Sequence, residues 1–184
     1  MKDLMVDLET LNNTPNSAVV SACFIKFDIT SGEYEICYNC NVSLQSSLDL
    51  GLTIKEETFY WWLNNSQSAR NSINPNQNSN PTVSLNTLYD ILSSYKFDQI
   101  WSRGADFDIA ILRNIFEKLN KPDIINRKGR CVRTMQEVAP YIYEHAVSLF
   151  KQSLPAFTEH DALHDSIAQI KGVSAVYNHI NRPQ

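Results

Sequence analysis

The first 44 residues contain three strand-like runs joined by short connections, and this feature constrains the fold more than any other. The runs cover residues 4–10, 17–29 and 34–44, and Thr30-Ser31-Gly32-Glu33 supplies a turn between the last two. Runs rich in Val, Ile and Phe favour strands. Because short connections join antiparallel neighbours, the sequence predicts a three-stranded antiparallel meander.

The rest of the chain alternates between helical and strand-like patterns. Residues 64–87 are rich in Asn and Ser, and this composition predicts a surface loop. An antiparallel meander followed by helix–strand alternation predicts an α/β fold, a mixed five-stranded sheet flanked by helices. A chain of 184 residues is expected to form one domain, residues 1–184. The predicted helices are 56–65, 85–95, 109–119 and 161–179, with further helical pieces after residue 132, and the later strands are 99–102 and 130–132.

The charge distribution is asymmetric. The net charge of -4 argues against a protein that coats long nucleic acid through a broad basic surface. Residues 103–133, however, hold eight of the sixteen basic residues and only four acidic ones. This segment is either a solvated face or a surface that attracts an anionic ligand to one side.

The four cysteines and the apolar runs indicate a cytoplasmic protein. The longest apolar run, residues 18–25, is ended by charged residues, so we expect neither export nor a membrane span. The spacing of Cys37 and Cys40 is typical of half a zinc site or a redox pair. In a strand, however, residues three apart point to opposite faces. We therefore expect Cys23, Cys37, Cys40 and Cys131 to be reduced core residues.

Two acids interrupt the first apolar run. In a strand, residues two apart share a face, so Asp7 and Glu9 point to one side while Val6 and Leu8 point to the other. Taken alone, the pair is either a solvated acidic face or half of a carboxylate site.

Further acids follow at places where open sheets build their sites. Asp108 follows the predicted strand 99–102 and starts a helix, where it is either a site residue or a helix cap. His160 and Asp165 open the last helix and can face a common point, whereas Asp161 can cap that helix and His164 points elsewhere.

If Asp7, Glu9, Asp108 and Asp165 meet, each pair of charges about 5 Å apart costs about 3 kcal/mol at an effective dielectric near 20. Such a cluster must be neutralised by protons or by cations. Ligand sets made only of oxygen atoms select Mg²⁺ or Mn²⁺. Two such ions form the usual device for displacement at a phosphodiester.

Three motifs in order, Asp7-x-Glu9, Ala105-x-Phe107-Asp108 and His160-x₄-Asp165, resemble the DEDDh or DnaQ-like 3′–5′ exonucleases, whose fold is ribonuclease H-like. The resemblance spans nearly the whole chain. The stretches Phe-Tyr-Trp-Trp-Leu at 59–63, Gln-Ser-Ala-Arg at 67–70 and His-Asp-Ala-Leu-His-Asp at 160–165 are similar to small phage and prophage exonucleases of the phage exonuclease A type and to their mycobacterial exoribonuclease relative.

The resemblance implies a catalytic set. Asp7 would bridge two Mg²⁺ or Mn²⁺ ions, Glu9 and Asp165 would hold the first, Asp108 would hold the second, and His160 would be the general base. It implies release of nucleoside 5′-monophosphates from the 3′ end of single-stranded DNA or RNA. Many relatives are dimers, so a homodimer is also an expectation.

The expected substrate-binding residues include positions where the chain departs from its relatives. Many relatives have His-Asn where this chain has Arg103-Gly104, and a Gly or an Asp where it has Leu11 or Arg133. Helical spacing with Phe59 and Leu63 predicts a buried Trp62, whereas Trp61 is left open between packing and stacking on a base. The substrate-binding candidates are Thr10, Leu11, Trp61, Phe107 and Arg133.

The sequence is compatible with two alternatives to an exonuclease. The altered Arg103-Gly104 turn is compatible with a module that binds nucleic-acid ends without turnover. The acids could also be surface residues of a ribonuclease H-like scaffold that binds no metal.

Overall fold

The computed structural model describes residues 1–182 and shows a six-stranded mixed sheet with helices on both faces. The first three strands pair antiparallel, so the predicted meander is confirmed. The order across the sheet is β4-β3-β2-β1-β5-β6. The strands are β1 (Asp3–Thr10), β2 (Val19–Phe27), β3 (Tyr34–Val42), β4 (Thr82–Val83), β5 (Gln99–Ser102) and β6 (Gly129–Cys131).

The prediction of five strands is wrong by one strand. β4 has two residues and pairs parallel to the end of β3, inside the segment predicted as a surface loop. Two residues are too few to show the alternation by which strands are recognised. The other parallel pairs are β1 with β5 and β5 with β6, so parallel strands follow the antiparallel ones along the chain, as the predicted mixed sheet requires.

Eight helices connect and cover the described strands. Two short ones were not predicted: one follows β3 and is capped by the Ser43 side chain, and one lies within 64–87 and is capped by Ser66. No helix in residues 1–182 is both long enough and apolar enough to cross a membrane. The helices are α1 (Leu44–Asp49), α2 (Glu56–Leu63), α3 (Gln67–Ser72), α4 (Leu85–Ser94), α5 (Asp108–Lys118), α6 (Val132–Val138), α7 (Pro140–Ser153) and α8 (Ala162–Ile180).

Strand β1 lies in the middle of the sheet and is buried along its whole length. Its even-numbered residues Leu4, Val6 and Leu8 pack into a core with α4 and α5, as the alternation predicts. On the other face, Met5 packs in a second core with residues of α7 and α8. Each fully buried large apolar side chain contributes about 1.5–3 kcal/mol, so these two cores hold β1 in place.

The cysteines depart in part from the prediction. None of the four forms a disulfide, and Cys23 and Cys40 are buried. Cys37 and Cys131 are only partly buried, so the expectation that all four lie in the core is wrong for these two. Cys37 lies where β3 has no partner strand on its outer side, and Cys131 ends the edge strand β6.

Helices α7 and α8 make a close contact at Gly172. A Cβ atom built on Gly172 would collide with the ring of Tyr143, which is itself almost fully buried. Only glycine therefore allows α7 to bring Tyr143 against α8.

We predict that Gly172→Ala lowers the free energy of unfolding by about 1–3 kcal/mol, because the added methyl group overpacks the contact with Tyr143. Helix propensity alone would instead raise the free energy of unfolding of this variant by about 1 kcal/mol. Urea unfolding followed by circular dichroism measures the difference. Ala175→Ser on the same helix is the control, and a stabilised Gly172→Ala variant would contradict the close contact.

Candidate active site

Three carboxylates meet where α8 crosses the end of β1. Oxygen atoms of Asp7, Glu9 and Asp165 all lie within 4.8 Å of one another. β1 presents Asp7 and Glu9 on the face that α8 covers, and Asp165 lies in the first turn of α8. Because the pair is buried beneath a helix, the interpretation of a solvated acidic face is wrong.

Asp108 contacts the same end of β1 from the start of α5. Its Oδ1 accepts a hydrogen bond of 3.1 Å from the backbone N–H of Leu8, the residue between the two acids. Asp108 is buried at the start of α5 and stands outside the group of three carboxylates. The structure therefore gathers all four predicted acids around residues 7–9.

His160 is held just before α8. Its N–H donates to Asp165 Oδ2 at 3.1 Å, and its carbonyl accepts from Ser72 Oγ at 3.0 Å. Its backbone is left-handed, with a φ of 61°. The imidazole packs edge-on against Trp61, with 4.7 Å between ring centroids.

The start of α8 matches the predicted cap. The Asp161 side chain accepts from the His164 N–H at 3.0 Å. The His164 ring turns away and accepts from the Thr158 N–H through Nδ1, as expected.

An apolar groove of about 520 Å³ lies beside this site, between α2 and the sheet. Leu11 lines it, and Trp62, which is buried as predicted, donates from Nε1 to the Thr10 carbonyl at 2.9 Å. The expectation that Phe59 and Leu63 share the buried side of Trp62 is wrong. Both are half exposed, because α2 leaves this groove open instead of packing flat on the sheet.

The remaining predicted substrate residues are Trp61, Phe107 and Arg133, and none of them belongs to the group of three carboxylates. Trp61 is 45% exposed while its ring contacts His160, so packing and exposure coexist. Phe107 is partly buried immediately before α5. Arg133 is exposed, and its guanidinium lies against Gly104, whose φ of +123° and lack of a side chain accommodate it.

Comparison with known proteins assigns the family. Residues 2–177 match the sequence model of the 3′-5′ exoribonuclease Rv2179c-like domain. The chain belongs to this family. It is also 23% identical over 199 residues to an exodeoxyribonuclease of Enterobacteria phage T4, and the match covers 92% of this chain and 86% of that relative. The expected membership of a 3′–5′ exonuclease family is confirmed.

Gln169 is a site residue that the sequence analysis missed. Its Nε2 donates to Asp7 Oδ1 at 2.7 Å, and the residue is only 4% exposed. Its Oε1 is buried without a hydrogen-bond partner. The available signal was its position four residues after Asp165, on the same face of α8.

Burial dominates the electrostatics of this family member's site. It raises the pKa values of Asp7 and Glu9 well above the ordinary range, and the charges of neighbouring carboxylates raise them further. Burial also raises the pKa of Asp108 to about 7, although the Leu8 N–H and the Arg133 charge oppose the shift. The pKa of Asp165 is raised by burial as well. Ionising these carboxylates together is therefore unfavourable unless a cation neutralises their charge.

The donor set fits a hard divalent cation. Three carboxylates converge within 4.8 Å, and the unpartnered Gln169 Oε1 adds a further oxygen acceptor beside Asp7. Oxygen ligands of this kind suit Mg²⁺ and Mn²⁺ better than softer metals.

The raised pKa values predict that, without divalent cations, the protein loses stability as the pH rises. A carboxyl whose folded pKa exceeds its unfolded value of about 4 binds more protons in the folded state, so ionisation opposes folding. Asp108 alone should account for a loss of about 3 kcal/mol between pH 5 and pH 8. Urea unfolding in EDTA at the two pH values measures it.

Asp108→Asn is the matched variant, because the amide oxygen can still accept from Leu8 while the charge is absent. Its stability should fall less than that of the wild type over the same pH interval. A wild-type protein that is equally stable in EDTA at both pH values would contradict the buried charge cluster.

Proposed function

We propose that this protein is a metal-dependent 3′–5′ exonuclease of the DEDDh type with a ribonuclease H-like fold. It would hydrolyse phosphodiesters at the 3′ ends of single-stranded nucleic acid and release nucleoside 5′-monophosphates. The observation that carries the proposal is the meeting of Asp7, Glu9 and Asp165 within 4.8 Å in a member of a 3′-5′ exoribonuclease family.

The carboxylates would hold two divalent cations, Mg²⁺ or Mn²⁺. The charges of Asp108 and Asp165 both raise the pKa of Asp7, whose own charge raises the pKa of Glu9, so Asp7 would serve both cations. Glu9 and Asp165 would serve one cation and Asp108 the other. When bound, two such cations stabilise the charge on the phosphate and favour an attacking hydroxide.

His160 would accept the proton of the attacking water. Its backbone is fixed by hydrogen bonds to Asp165 and Ser72, and its ring is supported by Trp61. Histidine side chains exchange protons near neutral pH, which suits a general base. A nucleic-acid-binding module without turnover would have no need for this residue.

The groove beside α2 would receive the 3′-terminal nucleotide. Leu11, which lines the groove, and the half-exposed Trp61, next to the lining residue Trp62, would offer apolar and aromatic surface for a base. Thr10 and Phe107, which adjoin Glu9 and Asp108 in the chain, would border the carboxylates. Arg133 would contact phosphate. The family description names a ribonuclease and the phage relative is named an exodeoxyribonuclease, so RNA and DNA are both candidate substrates.

We propose that residues 1–184 form a single exonuclease domain. A homodimer and a cytoplasmic location stay predictions.

We predict that Asp7→Asn and Asp165→Asn each reduce cleavage by more than about 100-fold, because loss of a direct metal ligand exceeds the effect of an outer-sphere change. Matched 5′-labelled RNA and DNA oligonucleotides with Mn²⁺ or Mg²⁺ should give ladders that shorten from the 3′ end. Asp106→Asn, an exposed acid of the same turn as Arg103, is the control.

The behaviour of the wild-type protein with these oligonucleotides distinguishes an exonuclease from a binding module. Binding of either oligonucleotide without any product would favour the binding module. If the wild type shows no cleavage, no binding and no Mn²⁺-dependent rise in melting temperature, the proposed exonuclease function is wrong.

A second prediction separates His160 from the metal ligands. His160→Gln should lower kcat by roughly 10²–10⁴-fold, the usual contribution of a general base. The Mn²⁺-dependent rise in melting temperature should remain, since His160 is not one of the residues whose ligand atoms converge. Loss of the Mn²⁺ effect in this variant would instead make His160 a metal ligand or a structural residue.

A further inference from the structure

The sheet order separates two surfaces on either side of β1. The apolar groove beside α2 is lined by Val20 of β2 and Val42 of β3, which lie on one side of β1. Arg103 follows β5 and Arg133 follows β6, which lie on the other side. The groove lies on the face of the sheet that carries Val20 and Val42, whereas Asp7 and Glu9 point from the other face. A strand whose 3′ end occupies the groove would therefore pass around the end of β1 to reach the carboxylates, and the arginines lie beyond β1 from the groove.

A pocket opens on the arginine side, between α7 and α8, and we call it the α7–α8 pocket. Its volume is about 130 Å³, which is smaller than the roughly 300–1,000 Å³ of sites for drug-sized ligands. A group the size of a phosphate suits it, whereas a nucleoside does not. The polar lining consists of Arg103, Tyr143, Glu144, Lys151, Asp165 and Gln169.

This pocket adjoins the candidate active site through shared residues. Asp165 belongs both to the pocket and to the group of three carboxylates. Gln169 also lines the pocket, and it is hydrogen-bonded to Asp7. A ligand in the pocket would therefore lie next to the scissile phosphate.

Arg103 is the cation of the pocket that is free to bind a ligand. It is exposed and forms no ion pair within residues 1–182, whereas Lys151 is paired with Glu159 at 2.8 Å. Asp165 is a proposed metal ligand, and Glu144 accepts a hydrogen bond from Gln136. A guanidinium presents a planar fork of donors that matches phosphate oxygens.

Tyr143 supplies a second donor. Gly172 allows its ring to lie against α8, and its hydroxyl lies close enough to Arg103, Glu144 and Asp165 for their charges to act on it. Burial raises the pKa of Tyr143 to about 12, so the hydroxyl keeps its proton at neutral pH. Within the described residues this hydroxyl donates to no other protein group, which leaves it available to a ligand.

We propose that the α7–α8 pocket binds the phosphate on the 5′ side of the scissile phosphodiester, with Arg103 as the main contact and the Tyr143 hydroxyl as the second. The upstream strand then leaves over the carboxyl ends of β5 and β6, past Arg133. This inference rests on the proposed exonuclease function and adds to it a direction for the strand and a second phosphate site.

The test removes one negative charge from the substrate. Two oligonucleotides of the same sequence are compared, one natural and one with an uncharged methylphosphonate at the linkage immediately 5′ of the scissile one. Wild-type kcat/KM should fall roughly 10- to 100-fold on the modified strand, the effect of losing one charge-assisted hydrogen bond. Arg103→Met should cut the natural strand about as slowly and should no longer distinguish the two strands.

Matched variants keep the result interpretable. Tyr143→Phe keeps the ring against Gly172 and should lose only part of the discrimination, while Arg103→Lys should retain part of it. Arg127→Met removes an exposed charge from the same basic segment and should discriminate as the wild type does. Circular dichroism melting checks that each variant is folded.

Two results would overturn the phosphate site. One is a wild-type enzyme that cleaves both strands equally, and the other is an Arg103→Met variant that still discriminates fully. If the wild type cleaves neither strand, the exonuclease proposal fails. The phosphate site is then tested separately, by comparing the Kd values of the two strands for wild type and Arg103→Met in Ca²⁺.

Discussion

Two carboxylates buried beneath a helix set the main constraint on this molecule. Asp7 and Glu9 point from the central strand into the side of the sheet that α8 covers, where water cannot solvate them fully. Charged groups in such a place destabilise the fold unless a proton or a cation neutralises them. A cation that bound only the folded chain would therefore stabilise it.

Helix α8 makes this arrangement possible by serving both the core and the site. One part of it packs Ile170 and Val173 against the sheet, and the same helix presents Asp165 and Gln169 to β1. Side chains on packed helices and strands are held more closely than side chains on loops. His160 lies just outside the helix, so its backbone is held by hydrogen bonds to Asp165 and Ser72 instead of by helical hydrogen bonds.

The parts of the site that follow local rules were predictable from the sequence. Strand alternation gives the common face of Asp7 and Glu9, and the start of a helix gives Asp161 and Asp165 their places. The rest depends on how distant elements pack. Gln169 becomes a site residue only because α8 crosses β1, and β4 is too short to carry a pattern. Helical spacing could not reveal that α2 leaves a groove open beside Trp62.

The sheet order shows where the basic segment lies relative to β1. Half of the basic residues occupy 103–133, a segment that follows β5 and contains β6, while the rest of the chain is acidic. On the proposed function, a polyanion would be attracted toward this basic segment, and such steering would weaken as salt is added. The apolar groove lies across β1 from that side. On the proposed function, a strand bound at both surfaces would pass the carboxylates at the end of β1, and the sheet order would then set its polarity.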